Sequence, residues 1–318
     1  MFKKVENTIS NGVWPTMITP FTDDNRIDYE SIEKLLYWYW ERGVSGVFAI
    51  CQSSEIFFLS TEEKKELLRF IQTHKPVGME VIASGHTADK LDTQIEEAKA
   101  YIDIGTDAYV FITNRLANKD ESDAVFLKNL ERVISCLDGD TNYGFYECPY
   151  PYKRLLTPEL VKELASWERF QFLKDTCCDV DMMRRKIDAM AGTNMRLFNA
   201  NSATLLETLR LGAAGFSGVM CNFHPELYVW LCKNFDKQPE LAEKVQDVVG
   251  FLSVAECQQY PVNAKYYLSL EQVCRGWHTR CRNTAEFTRN RRLEIDQMFK
   301  VTKMLENSLG LSFEFRRS

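Results

Sequence analysis

Short β-rich runs alternate with amphipathic helical stretches along most of this chain, and that alternation limits the fold more than any other feature. Strands are predicted at Val13 to Thr19, Gly46 to Cys51, Met79 to Gly85, Ala108 to Thr113, Asn142 to Cys148, Phe170 to Asp175, Met195 to Asn201 and Phe216 to Cys221. Helical patterns fill the intervals, among them Tyr29 to Arg42, Thr61 to His74, Asp89 to Ile104 and Asp123 to Cys136. Ser60-Thr61-Glu62-Glu63 has the spacing of a capping box and marks one helix start. Three similar turns, Gly43-Val44-Ser45-Gly46, Gly105-Thr106-Asp107-Ala108 and Gly212-Ala213-Ala214-Gly215, each stop a helix and launch a strand. Repeated β-then-α units of this kind predict a (β/α)8 TIM barrel over residues 1–235. A doubly wound sheet is the alternative, but no Gly-x-Gly-x-x-Gly follows the first strand. After Phe235 the strand signals stop, and residues 236–318 read as a C-terminal helical extension.

Composition narrows the partners. The 318 residues are 45% hydrophobic and carry a net charge of −6, which argues against nucleic acid or an anionic membrane as a partner. Arg184-Arg185-Lys186 and Arg289 to Arg292 are therefore read as solvated helix faces. Met1 to Ser10 has no apolar run of the signal-peptide kind, and the apolar stretches are too short to span a bilayer. Ten cysteines without paired spacing read as reduced thiols in a cytoplasmic protein.

In a barrel of this kind the site lies at the C-terminal ends of the strands. Lys174 ends the sixth predicted strand and Tyr146 lies near the end of the fifth. Period-two alternation sets Phe170, Phe172 and Lys174 on one side of their strand, and Asn142, Gly144 and Tyr146 on one side of theirs. A free lysine is neutral in only roughly 1 in 10³ molecules at pH 7. Burial among Phe170, Phe172 and Leu173 would favour the uncharged amine, the form that attacks a carbonyl. A lysine snorkelling at a strand end is the bland alternative, and for Tyr146 it is a core phenol with a satisfied hydroxyl.

Strand two runs into Cys51-Gln52-Ser53-Ser54-Glu55, where hydroxyls and backbone N–H groups suit a carboxylate. This turn, with Tyr146-Glu147-Cys148-Pro149 and Phe172-Leu173-Lys174-Asp175, resembles the dihydrodipicolinate synthase / N-acetylneuraminate lyase family. Pro15-Thr16-Met17-Ile18-Thr19-Pro20-Phe21 and Tyr260-Pro261-Val262-Asn263-Ala264-Lys265 are similar to its opening and C-terminal segments. The resemblance implies a class I aldolase or lyase that condenses or cleaves pyruvate, or another 2-oxo acid, with an aldehyde. Lys174 would form the Schiff base and Tyr146 would move protons. Gln52, Ser53 and Ser54 would face the 2-oxo acid, Ala200 and Asn201 the second substrate, and Ser217 would lie near the lysine. The resemblance also implies a homo-oligomer, a tetramer or dimer.

The departures bear on substrate. Gln52 stands where the synthase has a relay hydroxyl, Ser54 where it has glycine, and Asn114-Arg115-Leu116 where it has a tyrosine pair. Ala200 and Asn201 replace the glycine and acidic group that read sugar hydroxyls. Both the lysine-biosynthetic synthase reaction and sialic acid cleavage are thereby disfavoured. A Schiff-base dehydratase or hydratase-aldolase on a sugar acid or aromatic adduct, and a non-catalytic 2-oxo acid binding protein, are the alternatives. No cofactor is expected. Cysteines and His86 and His224 gather near strand tips, but no metal-ligand spacing links them and an imine-forming lysine needs no metal.

Overall fold

The computed structural model describes residues 9–137 and 140–313. Eight parallel strands surround one core: β1 (Gly12–Val13), β2 (Gly46–Ile50), β3 (Glu80–Ala83), β4 (Ala108–Ile112), β5 (Tyr143–Tyr146), β6 (Phe170–Asp175), β7 (Arg196–Asn199) and β8 (Gly215–Phe216). Their order is β1-β8-β7-β6-β5-β4-β3-β2. The seam between β1 and β2 closes through a parallel bridge of Thr16 to Phe48, with Met17 N–H donating to the Phe48 carbonyl at 3.0 Å. The result is a nearly closed TIM barrel with helices around it, as the alternation predicts.

The first strand is shorter than its sequence implies. Pro15 has no N–H to give to a ladder, so regular pairing stops at Val13 and the chain runs on to Phe21 by isolated contacts.

The helices follow their local signals. The helix α1 (Tyr29–Glu41) starts behind the Asp28 carboxylate, which accepts from Ser31 N–H. In α2 (Thr61–His74) the capping box forms as read: Ser60 Oγ accepts from Glu63 N–H at 3.1 Å and Glu63 Oε2 from Ser60 N–H at 2.8 Å. The next helix, α3 (Leu91–Ile104), ends on Gly105 at φ +99°, a left-handed stop that a side chain would disfavour. A single turn, α4 (Thr113–Leu116), and then α5 (Asp123–Ser135), α6 (Pro158–Ser166), α7 (Val180–Ala189), α8 (Leu205–Arg210) and α9 (Pro225–Asn234) complete the ring. Beyond it, α10 (Pro239–Leu252), α11 (Val262–Leu270) and α12 (Arg289–Ser308) bury Val245, Val249, Tyr267 and Ile295 in the same apolar cluster as the barrel. No helix among the described residues is long and apolar enough to cross a membrane.

Inside the barrel an aromatic plug forms the floor under the strand tips. Phe172 stacks on Phe198 with centroids 4.3 Å apart and meets Trp14 edge-on at 5.7 Å. Phe170 does not join it, contrary to simple alternation. The ladder pairs Tyr143 with Phe170 but Gly144 with Phe172, so β6 carries one extra residue and Phe170 turns to the helix side. There it packs on Phe145 at 4.4 Å and Trp167 at 6.0 Å.

Charge placement also departs from the sequence reading at one point. Arg184 and Arg185 are exposed, but Lys186 of the same run is fully buried. Helical spacing turns the third residue of the run inward, where two carboxylates meet it.

Candidate active site

β5 and β6 are register partners that align Tyr146 with Lys174. Lys174 is 3% exposed, and its Nζ lies 4.3 Å from the centroid of the Tyr146 ring and 5.9 Å from that of Phe48. Burial pushes its pKa below the ordinary lysine value, while the thiols Cys51, Cys148 and Cys221 and the Glu256 carboxylate act weakly the other way. The rings that face its Nζ are those of Phe48 and Tyr146, whereas Phe170 turns to the helix side. Burial likewise drives the Tyr146 phenol well above its usual pKa, so at neutral pH it is a proton donor.

Lys174 and Tyr146 are held from behind by the residues that follow each of them. Asp175 and Glu147 face the helix layer, where Lys186 Nζ of α7 lies 2.6 Å from a carboxylate oxygen of each. Both carboxylates also accept from backbone N–H groups. Glu147 accepts from Leu156 N–H at 2.8 Å and Thr176 N–H at 3.0 Å, and Asp175 from Cys177 N–H at 2.8 Å. A buried cation shared by two carboxylates thus locks the tips of β5 and β6 together.

The turn after β2 is a 3-10 turn at Gln52–Ser54 whose left-handed residue is Glu55, at φ +61°. The serine at position 54 therefore needs no glycine-like backbone. Glu55 is anchored by Lys265 Nζ at 2.7 Å and by the N–H groups of Arg280 and Cys281 at 2.7 and 2.9 Å. These bonds offset the cost of its backbone conformation.

A cavity of about 470 Å³ opens at the strand tips. Gln52, Ser53 and Tyr146 line it, with Tyr260, Glu256 and Arg282 from the C-terminal segment and Phe57, Phe58 and Tyr150 as an aromatic rim. Ser53 Oγ donates to Thr16 Oγ1 at 3.2 Å, and Tyr260 Oη accepts from Asn222 Nδ2 at 3.1 Å. Gln52 Oε1 accepts from the Cys148 thiol at 3.2 Å and, at a long 3.4 Å, from the Tyr146 hydroxyl.

Other residues singled out in the sequence lie elsewhere. The Ser54 hydroxyl is fully buried beside the carbonyls of Met17 and Ala49, each at 2.7 Å, and its N–H donates to the Cys51 carbonyl. Ala200 and Asn201 are absent from the lining; Asn201 N–H donates to Asn199 Oδ1 instead. Ser217 is completely buried, and its hydroxyl has no partner among the described residues. Arg115 pairs with Asp89, and Arg154 binds the Asn118 and Glu121 carbonyls and Asp123. All ten cysteines are unpaired; Cys51, Cys148 and Cys221 are buried, whereas Cys178 near the tip of β6 is exposed. Glu256, Tyr260 and Thr16 went unassigned in the sequence. The Pro15–Phe21 and Tyr260–Lys265 segments were the available signals for Thr16 and Tyr260, and nothing local marks Glu256.

The model of the dihydrodipicolinate synthetase family matches residues 9–300. The chain is 26% identical over 226 residues to the 4-hydroxy-tetrahydrodipicolinate synthase of Clostridium perfringens, covering 70% of this chain and 75% of that one. It is 25% identical over 260 residues to the enzyme of the same name from Methanothrix thermoacetophila, covering 80% and 85%. Among solved structures it is similar to an E. coli prophage protein of the dihydrodipicolinic acid synthase family in complex with pyruvate. The TM-score there is 0.83 at 23% identity, over 92% of this chain and 98% of that one. A Clostridium difficile protein in complex with mannosamine superposes with a TM-score of 0.81 at 18% identity, over 92% and 99%. At these identities the structural likenesses speak for the fold.

Proposed function

The chain belongs to the dihydrodipicolinate synthetase family, and on that premise we propose that it is a Schiff-base lyase or aldolase that joins or cleaves a 2-oxo acid and an aldehyde. The observation that carries this reading is the buried Lys174 amine, 4.3 Å from the centre of the Tyr146 ring and held below the ordinary lysine pKa by desolvation. Pyruvate, the ligand of the E. coli prophage relative, is the 2-oxo acid first to be tried.

The neutral Nζ of Lys174 adds to the ketone carbon, and the ketone oxygen takes up a proton to give a carbinolamine. The Tyr146 phenol, kept protonated by burial, donates as the hydroxyl leaves as water and the protonated imine forms. Loss of a proton from the adjacent carbon gives an enamine, which attacks the aldehyde carbon as the aldehyde oxygen is protonated. Water then releases product and the free amine, and cleavage runs through the same steps in reverse. Ser53, on the cavity wall beside Tyr260 and Thr16, is the candidate for the 2-oxo acid carboxylate.

The test is borohydride reduction in the presence of pyruvate, followed by mass spectrometry of the Lys174 peptide. A reduced adduct on Lys174 is expected; its absence, or its appearance on other lysines alone, overturns the reading. The Gln52 amide favours a second reading, a 2-oxo acid binding protein without turnover. Its oxygen accepts from Tyr146, but an amide passes no proton onward. An adduct with no aldehyde consumed or released would select it.

A further inference from the structure

Glu256 lies on the 3-10 segment Ser253–Cys257, 82 residues beyond Lys174 in sequence, yet lines the same cavity as Tyr146, Ser53 and Tyr260. Its carboxyl is within the electrostatic reach of Lys174. Glu55, the other carboxylate on the lining, is already bound by Lys265 and two backbone N–H groups. Glu256 makes no hydrogen bond or salt bridge among the described residues. A carboxylate that faces a cleft without a protein partner keeps its oxygens free for a donor that enters the cleft.

We propose that Glu256 is a specificity-determining residue. Its carboxylate accepts a hydrogen bond from a hydroxyl or ammonium group on the part of the substrate beyond the reacting carbonyl, and it excludes substrates with a second carboxylate there. The inference rests on the Schiff-base reading of Lys174 and adds to it the charge of the substrate's far end.

Two cations lie near Glu256, Lys174 within its electrostatic reach and Arg282 on the lining, and neither cancels it. Lys174 stays beside the floor, and once condensed its nitrogen is the reacting centre rather than a partner for a distant group. Arg282 is exposed on the lining with Nε 3.4 Å from the Tyr260 carbonyl, so water and salt screen it. The tyrosines Tyr146 and Tyr260, whose phenols are held well above their usual pKa by burial, bring no charge. Glu256 is therefore the carboxylate on the lining left open to an incoming tail.

The experiment compares borohydride trapping on Lys174 with pyruvate, 2-oxoglutarate and 2-oxoglutaramate, in the wild type and in Glu256→Gln. The last two acids match in size and differ by one carboxylate. The wild type is expected to trap the amide about tenfold faster than the diacid, the scale of one charge pair partly screened by water. Glu256→Gln should bring that ratio close to one. Removing the Glu256 charge also eases deprotonation of Lys174, but this speeds every acid alike and cancels in the ratio. Equal trapping of amide and diacid by the wild type, or an unchanged ratio in Glu256→Gln, overturns the inference while leaving the imine intact. Absence of any adduct overturns the reading of Lys174, and this inference with it.

Discussion

The ammonium of Lys186 lies 2.6 Å from Glu147 Oε1, and both side chains are fully shut off from solvent. The same nitrogen is 2.6 Å from Asp175 Oδ2. Since Glu147 follows Tyr146 and Asp175 follows Lys174, one cation fixes the spacing of the phenol and the amine. Lys186→Met leaves two buried carboxylates facing each other and should cost about 3–5 kcal/mol, the usual penalty for breaking a buried pair. Urea unfolding reads this directly, and a loss under about 1 kcal/mol would mean that the carboxylates find other partners.

Burial and the neighbouring Asp175 raise Glu147 from 4.5 to about 7. A carboxyl whose folded pKa is raised contributes most below its unfolded value, and that contribution is lost as pH rises through the folded one. Glu147 should therefore lower stability as pH climbs from about 4.5 to about 7. Glu147→Gln should flatten the unfolding midpoint across that window relative to the wild type. Parallel profiles for the two proteins would refute this linkage.

Lys174→Met should lose the pyruvate adduct and unfold at a higher temperature, because a desolvated amine is replaced by an apolar chain of similar size. Tyr146→Phe should keep pyruvate binding but slow turnover by about 10²–10⁴-fold. Equal losses in binding and turnover for Tyr146→Phe would count against proton transfer by the phenol.

A methyl group built on Gly144 would lie 2.8 Å from the Phe172 carbonyl oxygen and 2.9 Å from its Cβ. Gly144→Ala should therefore push β5 off β6, costing about 1–3 kcal/mol. It should also slow adduct formation, since Tyr146 and Lys174 lie two residues further along each strand. Wild-type trapping rates in a destabilised Gly144→Ala protein would separate the two effects.

The two serines of the β2 turn should behave differently. Ser54→Ala removes the acceptor for Cys51 N–H at 3.2 Å and should lower stability by about 1–3 kcal/mol. Ser53→Ala breaks only the longer bond to Thr16 Oγ1 and should lower stability less, by about 0.5–1.5 kcal/mol, but it should weaken 2-oxo acid binding, because its hydroxyl is on the cavity wall. Titration calorimetry with pyruvate beside thermal unfolding distinguishes them.

Much of the barrel was legible in the chain because its signals are local. Period-two runs, the Ser60–Glu63 box and the glycine stops each act within a few residues. Lys174 and Tyr146 could be set at strand tips for the same reason. Three features were not legible. The extra residue in β6 that turns Phe170 outward depends on its pairing with β5. The burial of Lys186 depends on two carboxylates 11 and 39 residues away. The electrostatic reach of Glu256 to the lysine depends on how the C-terminal segment lies at the barrel mouth.

The succession of strands and helices, and with it the end of the barrel where an amine and a phenol would emerge, was set by local patterns along the chain. Which groups surround that amine, and so how far its proton is loosened and what charge an incoming substrate meets, depended on the packing of distant segments. Backbone periodicity is a property of neighbours along the chain, whereas desolvation and electrostatic fields sum over every group that folding brings close.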